Sequence, residues 1–328
     1  MKPGASFCGS LVPNCIDLQY LTMKILLSTA LFTAAIFSAQ NCSEPSEKTS
    51  TKPTVSAPAT VAIPLPEGFN DYWYAGKAEL CTYDVSQERY GEIRQAEQVN
   101  VFVTEDFSQA KQVKLDDPAA AASDRVPVLK LNLIRRFHTG IYDYSIMQSI
   151  FTPVSGLPTP KTTTTVQDWC GHVFLQCNLE KDGYRLRGFS YFESEGDQDL
   201  HIPIALLEDE IWTRIRLNPA NLATGKVRII PSPIYTRLRH KPNDVQNAEI
   251  QLDKAEKESM LKISYTEIQR SLSIRFETNF PYKILGWEET NDGKIASKGE
   301  LKATRMSAYW GEHDNVHAPL RDSLKLKF

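Results

Sequence analysis

The sequence predicts a mainly β protein: an antiparallel curved sheet, or barrel-like sheets, of roughly a dozen strands with one amphipathic helix. Three observations lead there. Apolar residues alternate with polar ones over most of the chain from Tyr72 onward. Turn-forming clusters separate the alternating runs, and a single segment, about residues 203–217, breaks the alternation with helical spacing. Alternation at period two marks strands with one buried face, whereas apolar residues three and four apart mark a helix.

The N-terminal part precedes this pattern. Met23 and Lys24 lead into a 13-residue apolar run, Ile25 to Phe37. It is shorter than the ~20 residues that span a bilayer and fits the core of a secretory signal. Residues 1–22 contribute nothing a signal needs, so we expect translation to start at Met23, with 23–41 as the signal peptide. Cys42 follows at once, and residues 42–68 form a Ser/Thr/Pro-rich tether. A cysteine placed just past such a run is the acylation site of a bacterial lipoprotein, so Cys42 is the expected lipidation residue. Asn41 is unusual before it, and cleavage after Ala39 with plain secretion to the periplasm is the alternative. Several acyl chains anchor stably where one holds marginally. The tether lacks the apolar content to fold, and its flexible residues reach on the order of 30 Å.

Removing residues 1–41 leaves 35 basic and 39 acidic residues, a net charge of −4, and no basic block. A nucleic-acid footprint is therefore excluded. Cys81, Cys170 and Cys177 remain beside Cys42, too few for a disulfide scaffold.

Within residues 69–328 the strands follow in order. Val99, Val101 and Val103 alternate with Asn100 and Thr104, and Leu129, Leu131 and Leu133 with Lys130 and Asn132. Ile250 and Leu252, then Leu261, Ile263 and Tyr265, then Leu272, Ile274 and Phe276 repeat the pattern. Asp116-Asp117-Pro118, Lys181-Asp182-Gly183, Pro242-Asn243-Asp244 and Asn291-Asp292-Gly293 are turns, the last inside a hairpin. In the helical segment Ile204, Leu207, Ile211, Trp212 and Ile215 form the apolar face. Glu208, Asp209 and Glu210 are expected on a solvated face, Pro203 in the first turn, and Asn218-Pro219 at the stop. Two sheet lobes divided near 220–245 are compatible with this pattern.

Several stretches resemble an uncharacterised family of bacterial envelope proteins. They are Tyr72-Trp73-Tyr74-Ala75-Gly76-Lys77-Ala78-Glu79-Leu80, Arg89-Tyr90-Gly91-Glu92-Ile93, Gly140-Ile141-Tyr142, Trp169-Cys170-Gly171-His172, and Glu210-Ile211-Trp212 with Ile215-Arg216-Leu217-Asn218-Pro219. The resemblance covers about Tyr72 to Lys241 and implies an envelope location. Members are sometimes labelled "septum formation inhibitor Maf". Maf-type nucleotide pyrophosphatases resemble one another in a Ser-x-Ser-x-Arg-Arg motif on an α/β fold. Here the Arg pair is Arg135-Arg136, inside a strand pattern, and no glycine-rich phosphate loop is present.

The motif that invites chemistry is Trp169-Cys170-Gly171-His172. It opens like a disulfide-isomerase loop, but Val173 stands where the second cysteine belongs, so dithiol exchange is excluded. On a strand, Cys170 and His172 share a face, which makes them the candidate nucleophile and base of a hydrolase. The plainer expectation is a half-buried strand. The alternating carboxylates Glu193 to Asp199 suit a solvated strand-to-helix connection better than a calcium loop. Glu105-Asp106 and Glu208 to Glu210 are further acidic pairs, and His313 and His317 have metal-like spacing on a loop. No metal or cofactor is expected. Tyr72, Trp73, Tyr142, Tyr144 and Trp169 are the candidate ligand-binding residues, should the curved sheet enclose a cavity. The expected function is a lipid-anchored, periplasm-facing envelope protein that binds or scaffolds. Its partner would be a lipid, a glycan or another envelope protein, with the membrane reached through the anchor.

Overall fold

The structure, a computed structural model, describes residues 64–328. The expected extension 1–22, the signal 23–41, the lipidation residue Cys42 and the tether up to residue 63 lie outside the described residues.

The described chain is one antiparallel meander of fifteen strands. After a short helix α1 (Phe69–Trp73), strands β1 (Ala78–Arg89), β2 (Glu92–Ser108), β3 (Arg125–Thr139), β4 (Tyr142–Pro153), β5 (Lys161–Gln167), β6 (His172–Leu179), β7 (Gly183–Ser190) and β8 (Gln198–Pro203) each pair with the next. β9 (Leu206–Leu207), helix α2 (Glu210–Leu217), β10 (Gly225–Ile230) and helix α3 (Pro233–Arg239) follow. β11 (Gln246–Lys254), β12 (Glu258–Tyr265), β13 (Arg270–Glu277), β14 (Ile284–Asn291) and β15 (Lys294–Ser307) return the sheet to β1, and α4 (Leu320–Ser323) comes last. The order β8 to β1, then β15 to β9, has a consequence for shape. Its two edges, β8 and β9, are separated in the chain by Ile204 and Ala205 alone, so the sheet curls until its edges meet without pairing. It is a curved, unclosed sheet, and the strands on both sides of residues 220–245 belong to it.

Local chemistry explains the ladder. The alternating Leu129, Leu131 and Leu133 are all buried, and Asp292 and Gly293 both take positive φ (51° and 73°), the turn that matches strand twist. The β9–α2–β10 unit is the parallel exception, Ile229 opposite Leu206. Such a crossover needs a helix, and α2 lies against β3 and β4. Ile211, Trp212, Ile215 and Leu217 bury in the core there, where the Trp212 and Trp287 rings meet edge to face at 5.5 Å.

Three expectations need correction. The helix begins at Glu210, because Pro203 ends β8 and Leu206–Leu207 pair as a strand. The alternating strands expected from Tyr72 onward begin only at Ala78, because Phe69–Trp73 is helical, and α3 and α4 add further helices. Most consequential, Glu208, Asp209 and Glu210 are not solvated; each is about 2–3% exposed. Each acid is accommodated differently: Glu208 by a counter-charge from a distant strand, Glu210 by Arg214 on its own helix, and Asp209 by burial that favours its protonated form. Arg270 donates to both Glu208 oxygens, at 2.5 and 2.7 Å, with Tyr265 as a third donor. Glu210 accepts from Thr159 Oγ1 at 2.5 Å and Arg214 at 2.9 Å. Beside Trp73, Arg216 forks onto Glu79 at 2.5 and 2.8 Å, both side chains fully buried.

Leu324 and Leu326 lie over an apolar stripe on the outer face formed by Leu80, Val101 and Val103. The Glu97 carboxylate accepts the Lys327 backbone N–H at 2.9 Å, which carries Phe328 toward the β3–β4 hairpin.

Candidate functional site

At the end of the sheet where β3 turns into β4 and β5 into β6, an open cleft of about 620 Å³ forms. Its walls come from four stretches: Arg136 to His138, Asp143 to Ser145, Gln167 to His172 without Cys170, and Phe328. The two connections are built differently. Gly140 at φ 61° turns β3 back on itself and sets Thr139 opposite Tyr142. The second is a four-residue loop, 168–171, in which Asp168 Oδ1 accepts the Cys170 N–H at 2.6 Å and the Asp168 N–H reaches Gly171 O at 3.1 Å. A glycine is required at 171, since any Cβ would lie 2.6 Å from the Tyr191 ring.

An aromatic floor runs through the cleft. Phe137 and Tyr144 stack at 4.8 Å with a 3° interplanar angle, and both are buried. Tyr142 lies 5.9 Å from Tyr144 and 6.5 Å from Trp169, whose indole is 69% exposed. Arg89 Nε and Nη2 donate to the Tyr144 hydroxyl at 3.2 and 3.1 Å, and Tyr90 O–H pairs with it at 2.8 Å. Burial and the Tyr90 hydroxyl push the Tyr144 pKa well above that of an ordinary tyrosine, so this ring stays neutral. The edges are polar: His138 Nδ1 and Asp143 lie 2.5 Å apart, and Asp168 and His172 face them in the lining.

The candidate ligand-binding residues therefore divide. Tyr144 and Trp169 line the cleft, and Tyr142 packs against both from outside its lining. Tyr72 and Trp73 do neither; they pack around the Arg216–Glu79 pair, Tyr72 donating to Glu79 and Trp73 lying 5.0 Å from the guanidinium carbon. Sequence reading passed over His138, Asp143 and Phe328, because nothing local links residues that only hairpin pairing and the returning tail bring into register.

The Cys170/His172 reading is overturned in its premise. β6 starts at His172, so Cys170 sits in the loop, exposed, and shares no strand face with the histidine. The Asp168 carboxylate beside it pushes the thiol pKa up, the opposite of what a nucleophile requires. Cys81 and Cys177 are buried thiols, each pushed by desolvation to about 12. Iodoacetamide should thus label Cys170 ahead of both by exposure alone, with a rate still climbing above pH 8.5 as thiolate forms. A rate that levels off below pH 7 would restore the nucleophile reading.

The other acidic and basic candidates are paired. Glu195 accepts from Arg237 at 3.1 Å and lies 2.9 Å from His240, and its loop joins β7 to β8, strand to strand. Glu105 meets Lys130 at 2.6 Å and Asp106 meets Arg125 at 2.7 Å. His317 caps its own turn at Asp314. Arg135 is buried against Gln87 and Gln98, whereas its neighbour Arg136 is exposed in the cleft wall, so the two do not act as a pair. Glu180, Asp182 and His201, all exposed, bring ligand-type atoms within 4.8 Å of one another at the β6–β7 turn. No described helix is long and apolar enough to cross a membrane.

No protein-family model matches the chain, and no curated protein matches it. Among solved structures it is similar to the beta-barrel-like protein of domain of unknown function DUF1849 from Brucella abortus. The identity is 8%, over 70% of this chain and 98% of that one, with a TM-score of 0.45.

Proposed function

We propose that this protein is a lipid-anchored, periplasm-facing envelope protein that binds rather than catalyses, and that the aromatic cleft holds a glycan-type ligand. The observation carrying the ligand class is the cleft's mixed lining: the exposed Trp169 indole with the Tyr144 and Phe137 rings, edged by the His138–Asp143 pair, Asp168 and His172. Sugar rings present C–H faces that pack on indole and phenol, and hydroxyls that bond carboxylate and imidazole. A cleft with few convergent polar groups and aromatic walls suits such a ligand. The anchor and location rest on the apolar run before Cys42 and the tether after it. Catalysis is not favoured, because the Cys170 thiol is held protonated and has no base on its own face.

Calorimetric titration with soluble peptidoglycan fragments and envelope oligosaccharides tests this. Trp169→Ala should weaken binding by about tenfold or more, the usual cost of losing an exposed aromatic platform. Equal affinity in the variant, or no glycan bound by the unaltered protein, would remove the proposal.

A further inference from the structure

The meander places alternate hairpin tips at one end of the sheet. Five such tips lie along ten contiguous strands: β14–β15, β1–β2, β3–β4, β5–β6 and β7–β8. Each carries a large apolar side chain in water. Ile295 is 41% exposed, Tyr90 58% and Ile93 52%, Ile141 85%, Trp169 69% and Tyr191 69%. The remaining near-end connections differ, since Ile268 of the β12–β13 turn packs onto the core and β10–β11 contains α3. Of the far-end connections, the short hairpins β6–β7 and β11–β12 are charged at their tips, Glu180-Lys181-Asp182 and Ala255-Glu256-Lys257, while β2–β3, β4–β5 and β13–β14 are longer loops. Exposed apolar residues at that end are Tyr74 and Trp310, on the segments that enter and leave the sheet, Val113 in the β2–β3 loop and Ile204 after β8; they do not recur from hairpin to hairpin.

Core packing does not explain one exposed apolar group on every tip of this run: none belongs to the apolar core, although Tyr90 is bonded to Tyr144 and Tyr191 lies over Gly171. Register keeps them on a rim. Thr139 meets Tyr142 and Gln167 meets His172, each hairpin turning back earlier than the last, as strands tilted in a curved sheet require.

We infer that this rim inserts into the lipid interface, tips down. Spacing selects the partner. Adjacent tips stand ~10 Å apart, two strand intervals, with polar groups between them. A folded protein surface would need a matching pocket for each, whereas a fluid bilayer accepts separate side chains individually. Trp, Tyr and Ile are also the residues that settle at headgroup depth. Two rim arginines pair internally, Arg94 on Glu92 at 2.8 Å and Arg239 on Glu88 at 2.5 Å, and the other charges at the tips are of both signs, Arg136 and Lys294 against Asp168, Asp292 and Glu193, so no basic patch forms. Attachment is therefore apolar and nearly indifferent to salt. The rim does not depend on acylation of Cys42; it shares Trp169 with the cleft, while Ile295, Tyr90, Ile93, Ile141 and Tyr191 lie outside the cleft lining.

The described residues build their own core, so residues 64–328 can be tested without the N-terminal segment. Flotation with vesicles of phosphatidylethanolamine and a minor share of phosphatidylglycerol should recover this fragment equally at low and high salt. Ile141→Glu with Tyr191→Glu should reduce the bound fraction by about tenfold or more, without altering the thermal transition. Brominated lipid should quench fluorescence of the fragment, and Trp169→Phe should remove most of that quenching. No flotation of the fragment, equal flotation of the double variant, or loss of binding in Trp310→Glu instead would overturn the inference. Palmitate labelling of the full chain against Cys42→Ala, and glycan titration, decide the anchor and the cleft separately.

Discussion

Arg216→Met should lower the unfolding free energy by about 3–5 kcal/mol, read as an earlier urea midpoint at unchanged slope. The guanidinium is fully buried between Trp73 and Phe102, and Glu79 opposite it is equally dry. Burial would raise the Glu79 carboxyl, but the guanidinium and its hydrogen bonds overcome that and hold it at about 2. Methionine fills the volume and leaves a carboxylate with Tyr72 and Cys81 as its remaining donors. The cost is that of a stranded charge, so Arg216→Met with Glu79→Gln should recover much of it. A single-variant loss below about 1 kcal/mol, the worth of an exposed ion pair, would show the site to be wetter than its geometry. If the single variant does not fold, a folded double variant makes the same point.

Asp209→Asn should make the protein more stable at pH 8 and leave it unchanged near pH 4. Burial, aided by the neighbouring Glu208 carboxylate, raises the Asp209 carboxyl from 3.8 to about 7. The sign follows from where the proton sits. Between about pH 4 and pH 7 the folded protein keeps a proton that the unfolded chain has released, so stability falls as pH rises through this window. Above it the loss is complete, on the order of 4 kcal/mol for a fully buried group. Glu79 works oppositely: its contribution is present above the ordinary glutamate range and disappears as pH falls toward 2. These two groups place the maximum near pH 4–5. Urea midpoints of both proteins between pH 4 and pH 8 should diverge with rising pH; parallel curves would exclude Asp209 as the source.

The sequence by itself determined what depends on near neighbours in the chain. Leu129, Leu131 and Leu133 alternate because a pleated strand has two faces, and Asn291-Asp292-Gly293 turns because its residues accept positive φ. From such signals the mainly antiparallel sheet could be read, together with part of the cleft, Tyr144 and Trp169, and Tyr142 packed against it. What only the tertiary structure decided depends on long-range pairing. A helical pattern with Glu208, Asp209 and Glu210 on one side reads as a solvated face, since acids leave water only when counter-charges wait inside or when they keep their proton, as Asp209 does. Arg270 lies 62 residues from Glu208, and Arg216 lies 137 from Glu79. Likewise Trp169-Cys170-Gly171-His172 read as strand. That Trp169 stands outward on a tip, in line with Tyr90, Ile141 and Tyr191, follows from strand order and stagger across the whole sheet. A period-two pattern specifies which face each residue takes, but not which end of the sheet its turn will occupy.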